Sequence, residues 1–191
     1  MKTHYHKTLT FLCCLATAGL LASCYSTLSY NEAMQRNVSK ITDSEKLEDA
    51  RFLLEAASYN ILATKMAEAA IESGYSASVV SMARENLGKH AEMERELRRL
   101  ARREDVVLTA GMNSEHERIL AELNTADRRE FDRSYIRLLG ELSREDRQKF
   151  SRMATDANSE HVRSFAARKL DLFESYEREI ETVDADLLRT Y

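Results

Sequence analysis

From about residue 43 onward, apolar positions recur at intervals of three and four, the spacing that lines one face of an α-helix. The first run opens at a capping box, Thr42 with Glu45, and stops at a glycine cap, Gly74. Its seam is Leu47, Ala50, Leu54, Ala57, Ile61, Thr64, Glu68 and Ile71, in which Glu68 is the one charge. Ser76 or Ser78 opens a second helix that reaches about Glu104 along Val80, Ala83, Leu87, His90, Glu94, Leu97 and Ala101. A loop with Gly111 leads to a short helix capped by Asn113 or Ser114, and Thr125 then caps a third long helix. That helix carries Phe131, Tyr135, Leu138 and Leu142, then Phe150, Met153 and Ala157. The polar run 143–149 between the two stripes predicts a kink or a solvated turn, because a core-facing helix should not lose its apolar face for two turns. Ser159 opens the last helix, lined by Val162, Phe165, Ala166, Leu170, Phe173, Tyr176, Ile180, Val183 and Leu187.

Four long helices and one short one predict an all-α fold, an up-down-up-down four-helix bundle over residues 43–191 with the short helix in the central connection. Turn signals near 74, 111, 125 and 157 argue against one elongated coiled coil. Gly88 and Gly140 fall inside helices, which predicts close packing or a bend at each.

The first 24 residues have another character. Lys2 and Lys7 precede an apolar run from Thr8 to Ala22, too short to span a bilayer, and Leu21-Ala22-Ser23-Cys24 closes it. That order resembles the signal and lipobox of bacterial lipoproteins, which implies cleavage of residues 1–23 and acylation of Cys24. Two or three acyl chains on one residue would hold the mature chain on a membrane. The same run would also serve as an ordinary secretory signal, but the cysteine after the small residues favours the lipoprotein. Tyr25, where an Asp would favour retention in the inner membrane, implies the outer membrane with the domain facing the periplasm. Residues 24–42 then read as the lipidated Cys and a polar tether, partly helical at most.

Composition narrows the functional classes. Loss of the signal leaves 168 residues, one domain, with 26 basic and 32 acidic side chains, which disfavours nucleic acid as a partner. There is no Pro and no Trp, and 31% of residues are charged, as in a helical surface. Cys13 and Cys14 leave with the signal and Cys24 carries lipid, so thiol catalysis, cysteine-bound zinc and iron–sulfur clusters are excluded.

Four stretches carry a family resemblance: Phe52-Leu-Leu-Glu-Ala-Ala57; His90-Ala-Glu-Met-Glu-Arg-Glu-Leu97 with Leu100-Ala101; Ser114-Glu-His-Glu-Arg-Ile-Leu120; and Phe131-Asp-Arg-Ser-Tyr-Ile136. Over residues 52–176 the chain resembles the ferritin-like bacterial envelope family known as domain of unknown function 4142, often described as putative outer membrane proteins. The resemblance implies a ferritin-like four-helix bundle. It also shows departures. Relatives tend to carry Asp-His where this chain has Lys89-His90, a second Asp-His at Leu142-Ser143, a His at Tyr176, a Glu at Ala63 and a Pro at Asp171.

A ferritin-like di-iron centre needs a Glu from each of two helices and a Glu-x-x-His motif from each of the other two. Leu87, Asn113 and Asn158 stand three residues before His90, His116 and His161, so no such motif exists. His90 and Glu94, at i and i+4 in the seam, with Glu68 across the pair, are the weak candidates for a metal; the competing reading is a polar core pair that fixes register. Asn-Ser-Glu-His occurs at 113–116 and 158–161, where capping competes with a paired His116/His161 site. The basic run 95–103 reads as a solvated face, since acidic residues interleave and flank it. The sequence therefore predicts a structural or interaction module with no catalysis and no cofactor. It would be held on a membrane by Cys24 and would meet an envelope protein partner. The alternative is a metal-binding or redox-protective bundle using His90 and Glu94.

Overall fold

A computed structural model describes residues 27–128 and 130–190; the signal segment and Cys24 lie outside the described residues. Six helices are present: α1 (Tyr30–Lys40), α2 (Ser44–Ser73), α3 (Ala77–Arg103), α4 (Ser114–Asn124), α5 (Phe131–Asp156) and α6 (Glu160–Thr190). The described residues contain no strand, and no helix among them is long and apolar enough to cross a membrane.

Local chemistry sets most of the boundaries. Asp43, rather than Thr42, caps α2, accepting from the N–H groups of Glu45 and Lys46 at 2.9 and 3.1 Å. Gly74 ends α2 as expected, but with extended backbone (φ −63°). Glycine is needed there because a Cβ would meet the Ala70 carbonyl oxygen at 2.4 Å. Past α3, Asp105 takes the left-handed conformation (φ 57°) and Val106 N–H returns to Ala101 O at 2.8 Å, closing the helix end. Thr125 closes α4 instead of opening α5: its N–H and hydroxyl return to α4 carbonyls, and residues 125–128 lead towards α5.

The long helices pack as a ring, α2 on α3, α3 on α6, α6 on α5 and α5 on α2. Their directions follow from contacts at the ends. Asp132 at the start of α5 accepts from the Tyr75 and Ser76 N–H groups at the end of α2, at 3.1 and 2.7 Å. Asp49 near the start of α2 accepts from Asn158 and Ser159 N–H at the end of α5, at 3.0 and 2.7 Å. Hence α2 and α6 run one way and α3 and α5 the other, so the order along the chain is up, down, down, up. This corrects the expected up-down-up-down order. The α3–α5 connection is a crossover, in which residues 105–111 lie along α1 and α4 packs on both α2 and α5.

The two hairpins mirror each other. Asp49 and Asp132, Ser76 and Ser159, Val79 and Val162, Ala83 and Ala166, Leu87 and Leu170, and Glu96 and Glu179 are all separated by one common interval. Each aspartate caps the other hairpin's turn. The two glutamates bind lysines across the α3/α6 seam, Glu96 with Lys169 at 2.6 Å and Glu179 with Lys89.

The stretch expected as a polar tether holds α1. Ser29 and Glu32 form a capping box, α1 packs on α2, and buried Asn37 makes two 2.9 Å bonds to the backbone of Val107. The solvated turn allowed for at 143–149 is also absent: α5 is one continuous helix, in which Ser143 and Asp146 turn into the interior and keep its buried face intact. Neither internal glycine is forced by packing: a Cβ on Gly88 meets nothing within 4 Å, and on Gly140 nothing nearer than 3.4 Å.

Candidate functional site

Half-way along the long helices the interior becomes polar. Tyr59 and Asn60 from α2, Asn86 and His90 from α3, Tyr135, Ser143 and Asp146 from α5, and Tyr176 from α6 are all buried there. Each sits on the inward face of its helix, so hydrophobic neighbours hold it in place: Ala56, Ala63, Met93, Leu139 and Phe173 are in the same core.

His90 is the hub. Its Nδ1 lies 3.2 Å from Asn60 Oδ1 and its Nε2 lies 3.1 Å from the Tyr176 hydroxyl. A carboxamide oxygen only accepts, so Nδ1 carries the proton and donates, and Nε2 accepts from the tyrosine O–H. Burial, with the Lys89 ammonium close by, pushes the imidazole pKa down to about 4, so the ring is neutral at pH 7. Lys89 also stands 5.4 Å over the Tyr176 ring. The result is a chain of neutral hydrogen bonds from α6 through α3 to α2.

The other half of the layer is less satisfied. The Tyr59 hydroxyl faces Ser143 and Asp146, and Asn86 faces the Tyr135 hydroxyl. No hydrogen bond reaches the Tyr59 hydroxyl, either amide atom of Asn86, the Ser143 hydroxyl or Asp146 Oδ2. Asp146 Oδ1 pairs with Lys149 at 3.2 Å, yet burial outweighs that lysine and raises the carboxyl pKa to about 6. Tyr59, Tyr135 and Tyr176 are all held above the usual phenol pKa, chiefly by burial, and remain protonated.

The positions singled out by sequence divide sharply. Glu68 and Glu94 are exposed, and Glu94 pairs with Arg98 on its own helix at 2.5 Å, so neither joins His90. The expected seams ran along the edge of the buried face: positions seven apart stay buried at Leu53, Asn60 and Ala67 on α2 and at Val79, Asn86, Met93 and Leu100 on α3, one step from the rows that hold Glu68 and Glu94. The buried face of α2 thus passes through Tyr59, Ala63, Met66 and Ala70 rather than Ile61, Thr64 and Glu68. Ala63, His90, Leu142, Ser143 and Tyr176 lie in the buried core, contributed by all four long helices, whereas Lys89 is half-buried. With one histidine and one carboxylate, this interior does not fit a di-metal centre. Among the described residues no group of three or more His, Cys, Asp or Glu could hold an ion together.

His116 and His161 do not pair. His116 is buried against Ser58, with Nδ1 at 2.6 Å from its hydroxyl, and Asn113 caps α4 by accepting from His116 N–H at 2.8 Å. Burial and the Lys149 charge lower its pKa to about 4. His161 is exposed, beside an open groove of about 710 Å³ between α3 and α6, lined also by Arg99, Arg103, Arg168, Glu92 and Glu96. The basic run thus borders mixed charge on a solvated face.

Sequence reasoning missed Tyr59, Asn60, Asn86 and Asp146. The available signal was their spacing, Tyr59 with Ala63 and Asn86 with His90, one step away from the seam that was followed.

The family model for the domain of unknown function DUF4142 matches residues 33–183. The chain belongs to the DUF4142 family. Among curated proteins and among solved structures, nothing matches. The DUF4142 match begins inside α1, takes in the whole polar layer and ends within α6, so α1 is part of the domain rather than a leader to it.

Proposed function

We propose that this chain is a lipid-anchored protein of the bacterial cell envelope, held in the outer membrane by Cys24, whose helical domain is a structural or interaction module in the periplasm. We read the ring of α2, α3, α5 and α6 as a ferritin-like four-helix bundle that holds, where such bundles carry a di-iron site, a neutral hydrogen-bonded chain through His90 and one buried carboxylate, Asp146. The crossover connection and the mirrored hairpins support the bundle reading. One observation carries the non-catalytic reading: both ring nitrogens of His90 are engaged, by Asn60 and Tyr176, deep in a packed interior. No nucleophile, base and open position meet there. The sequence Leu21-Ala22-Ser23-Cys24 supports the anchor.

The anchor is tested by intact mass and cell fractionation. The wild-type protein should be membrane-bound with the mass of an acylated Cys24, and Cys24→Ala should lose both; membrane retention of Cys24→Ala at an unchanged mass would overturn the reading. The module is tested by metal analysis of the detergent-purified protein. Stoichiometric iron, manganese or zinc that disappears in His90→Ala would contradict it.

A further inference from the structure

If Cys24 is lipidated, the fold decides which side of the domain meets the membrane. Leu28 is fixed to the body: its carbonyl accepts from Ala110 N–H at 2.8 Å and from the Thr109 hydroxyl at 3.4 Å. From Cys24 to Leu28 the chain reaches at most about 14 Å, even fully extended. That attachment lies near the middle of the body. Thr109 and Ala110, which hold Leu28, line one pocket with Ala57, Asn60 and Ile61 at the middle of α2, and Asn113 N–H bonds Ser58 there at 2.9 Å.

With its 30 residues α2 is about 45 Å long, so either end of the body is roughly 20 Å from the attachment point. A domain standing on end would hold Leu28 beyond the reach of Cys24. Lying on its α1 flank, the domain keeps Leu28 within reach. Charge does not oppose that side: the flank carries Arg36 and Lys40 against Glu32 and Asp105, with Lys40 paired to Asp105, whereas α6, across the interior from α2, carries eight acidic and five basic residues. An anionic headgroup layer therefore repels α6 more than α1. The outer stripe of α1 is Asn31, Gln35 and Val38, the last an exposed apolar side chain at 48%.

We propose that this α1 flank, with residues 105–111 beside it, rests against the lipid headgroups and that α6 faces away from the membrane. The proposal rests on acylation of Cys24, and its surface partner is a lipid bilayer. It replaces the expectation that all of residues 24–42 serve as a polar tether.

The mature chain has no cysteine besides Cys24, so single labels can be placed without further changes. Full-length protein with Gln35→Cys or Glu174→Cys, each carrying a fluorophore, is reconstituted into vesicles containing headgroup-labelled quencher lipid. Quenching should be several-fold stronger from position 35 than from 174. Inserting a Gly/Ser linker of about twelve residues after Cys24 should abolish most of that difference while vesicle retention persists. Retention with equal quenching at the two positions in the unmodified chain would overturn the orientation alone. Failure of either labelled protein to stay on vesicles would overturn the anchor reading, and the orientation with it.

Discussion

Two layers of one core, built by the same helices, are held in different ways. Toward the end where α2 begins, Phe52, Phe150, Phe165 and Phe173 pack edge to face, with ring centroids 4.9 Å apart for Phe52–Phe150 and 5.0 Å for Phe150–Phe173. Half-way along, equally buried positions hold Tyr59, Asn60, Asn86, His90, Ser143 and Tyr176. The aromatic layer is specified by shape and apolar area. The polar layer is specified by which donor meets which acceptor, and each missing partner costs about 1–3 kcal/mol. The stability of the first should therefore follow volume, and that of the second should follow pairing and pH.

The largest effect should come from the aromatic layer. Phe150→Ala removes a ring that touches three others and should cost about 3–5 kcal/mol in denaturant unfolding. A loss below 1 kcal/mol would show that the layer is not packed as described.

In the polar layer, His90→Leu should cost about 2–3 kcal/mol by stranding Asn60 and the Tyr176 hydroxyl. Tyr176→Phe in that background should cost less than it does alone, because its hydrogen-bond partner is already gone. Strict additivity in the double-mutant cycle would deny that the two are linked.

Acid separates the layers next. The folded-state pKa of His90 is depressed to about 4 against an ordinary 6.5, so its contribution is whole above about pH 6.5 and lost as pH falls toward 4, up to about 3 kcal/mol. Asp146 works in the opposite sense. Its pKa is raised to about 6, so protonation below pH 6 relieves a strained carboxylate. Asp146→Asn should raise stability at pH 7 by about 1–2 kcal/mol and steepen the acid loss, as read by thermal melts from pH 7 to 4. The Phe150→Ala penalty should change little over the same range.

The smallest effects belong to the surface carboxylates. Glu68→Ala and Glu94→Ala should each shift stability by less than about 0.5 kcal/mol. A larger loss at either would return them to the interior.

Helix content was legible in the sequence because apolar spacing and capping are local. Gly74, Asn113 and Ser76 mark boundaries within a residue or two of those observed. The order of helix directions was not, because nothing local reveals that residues 104–128 traverse the body rather than turn back. The interior site was half legible. His90 stands out as a polar residue in an apolar seam, but its partners lie on α2 and α6, and the expected seam on α2 ran one step off the buried face, through Ile61 and Glu68 instead of Asn60 and Ala67. Residues 143–149 were misjudged for a related reason: a polar run looks solvated unless a polar interior awaits it, as it does for Ser143 and Asp146.

Nitrogen-15 NMR of the His90 ring addresses the neutral interior at its hub. The ring should appear as the Nδ1–H tautomer, neutral and unchanged from pH 7 to about pH 5, and indifferent to added zinc or iron. Protonation near pH 6.5, the Nε2–H tautomer, or a shift on adding metal would contradict the hydrogen-bond chain from Tyr176 through His90 to Asn60.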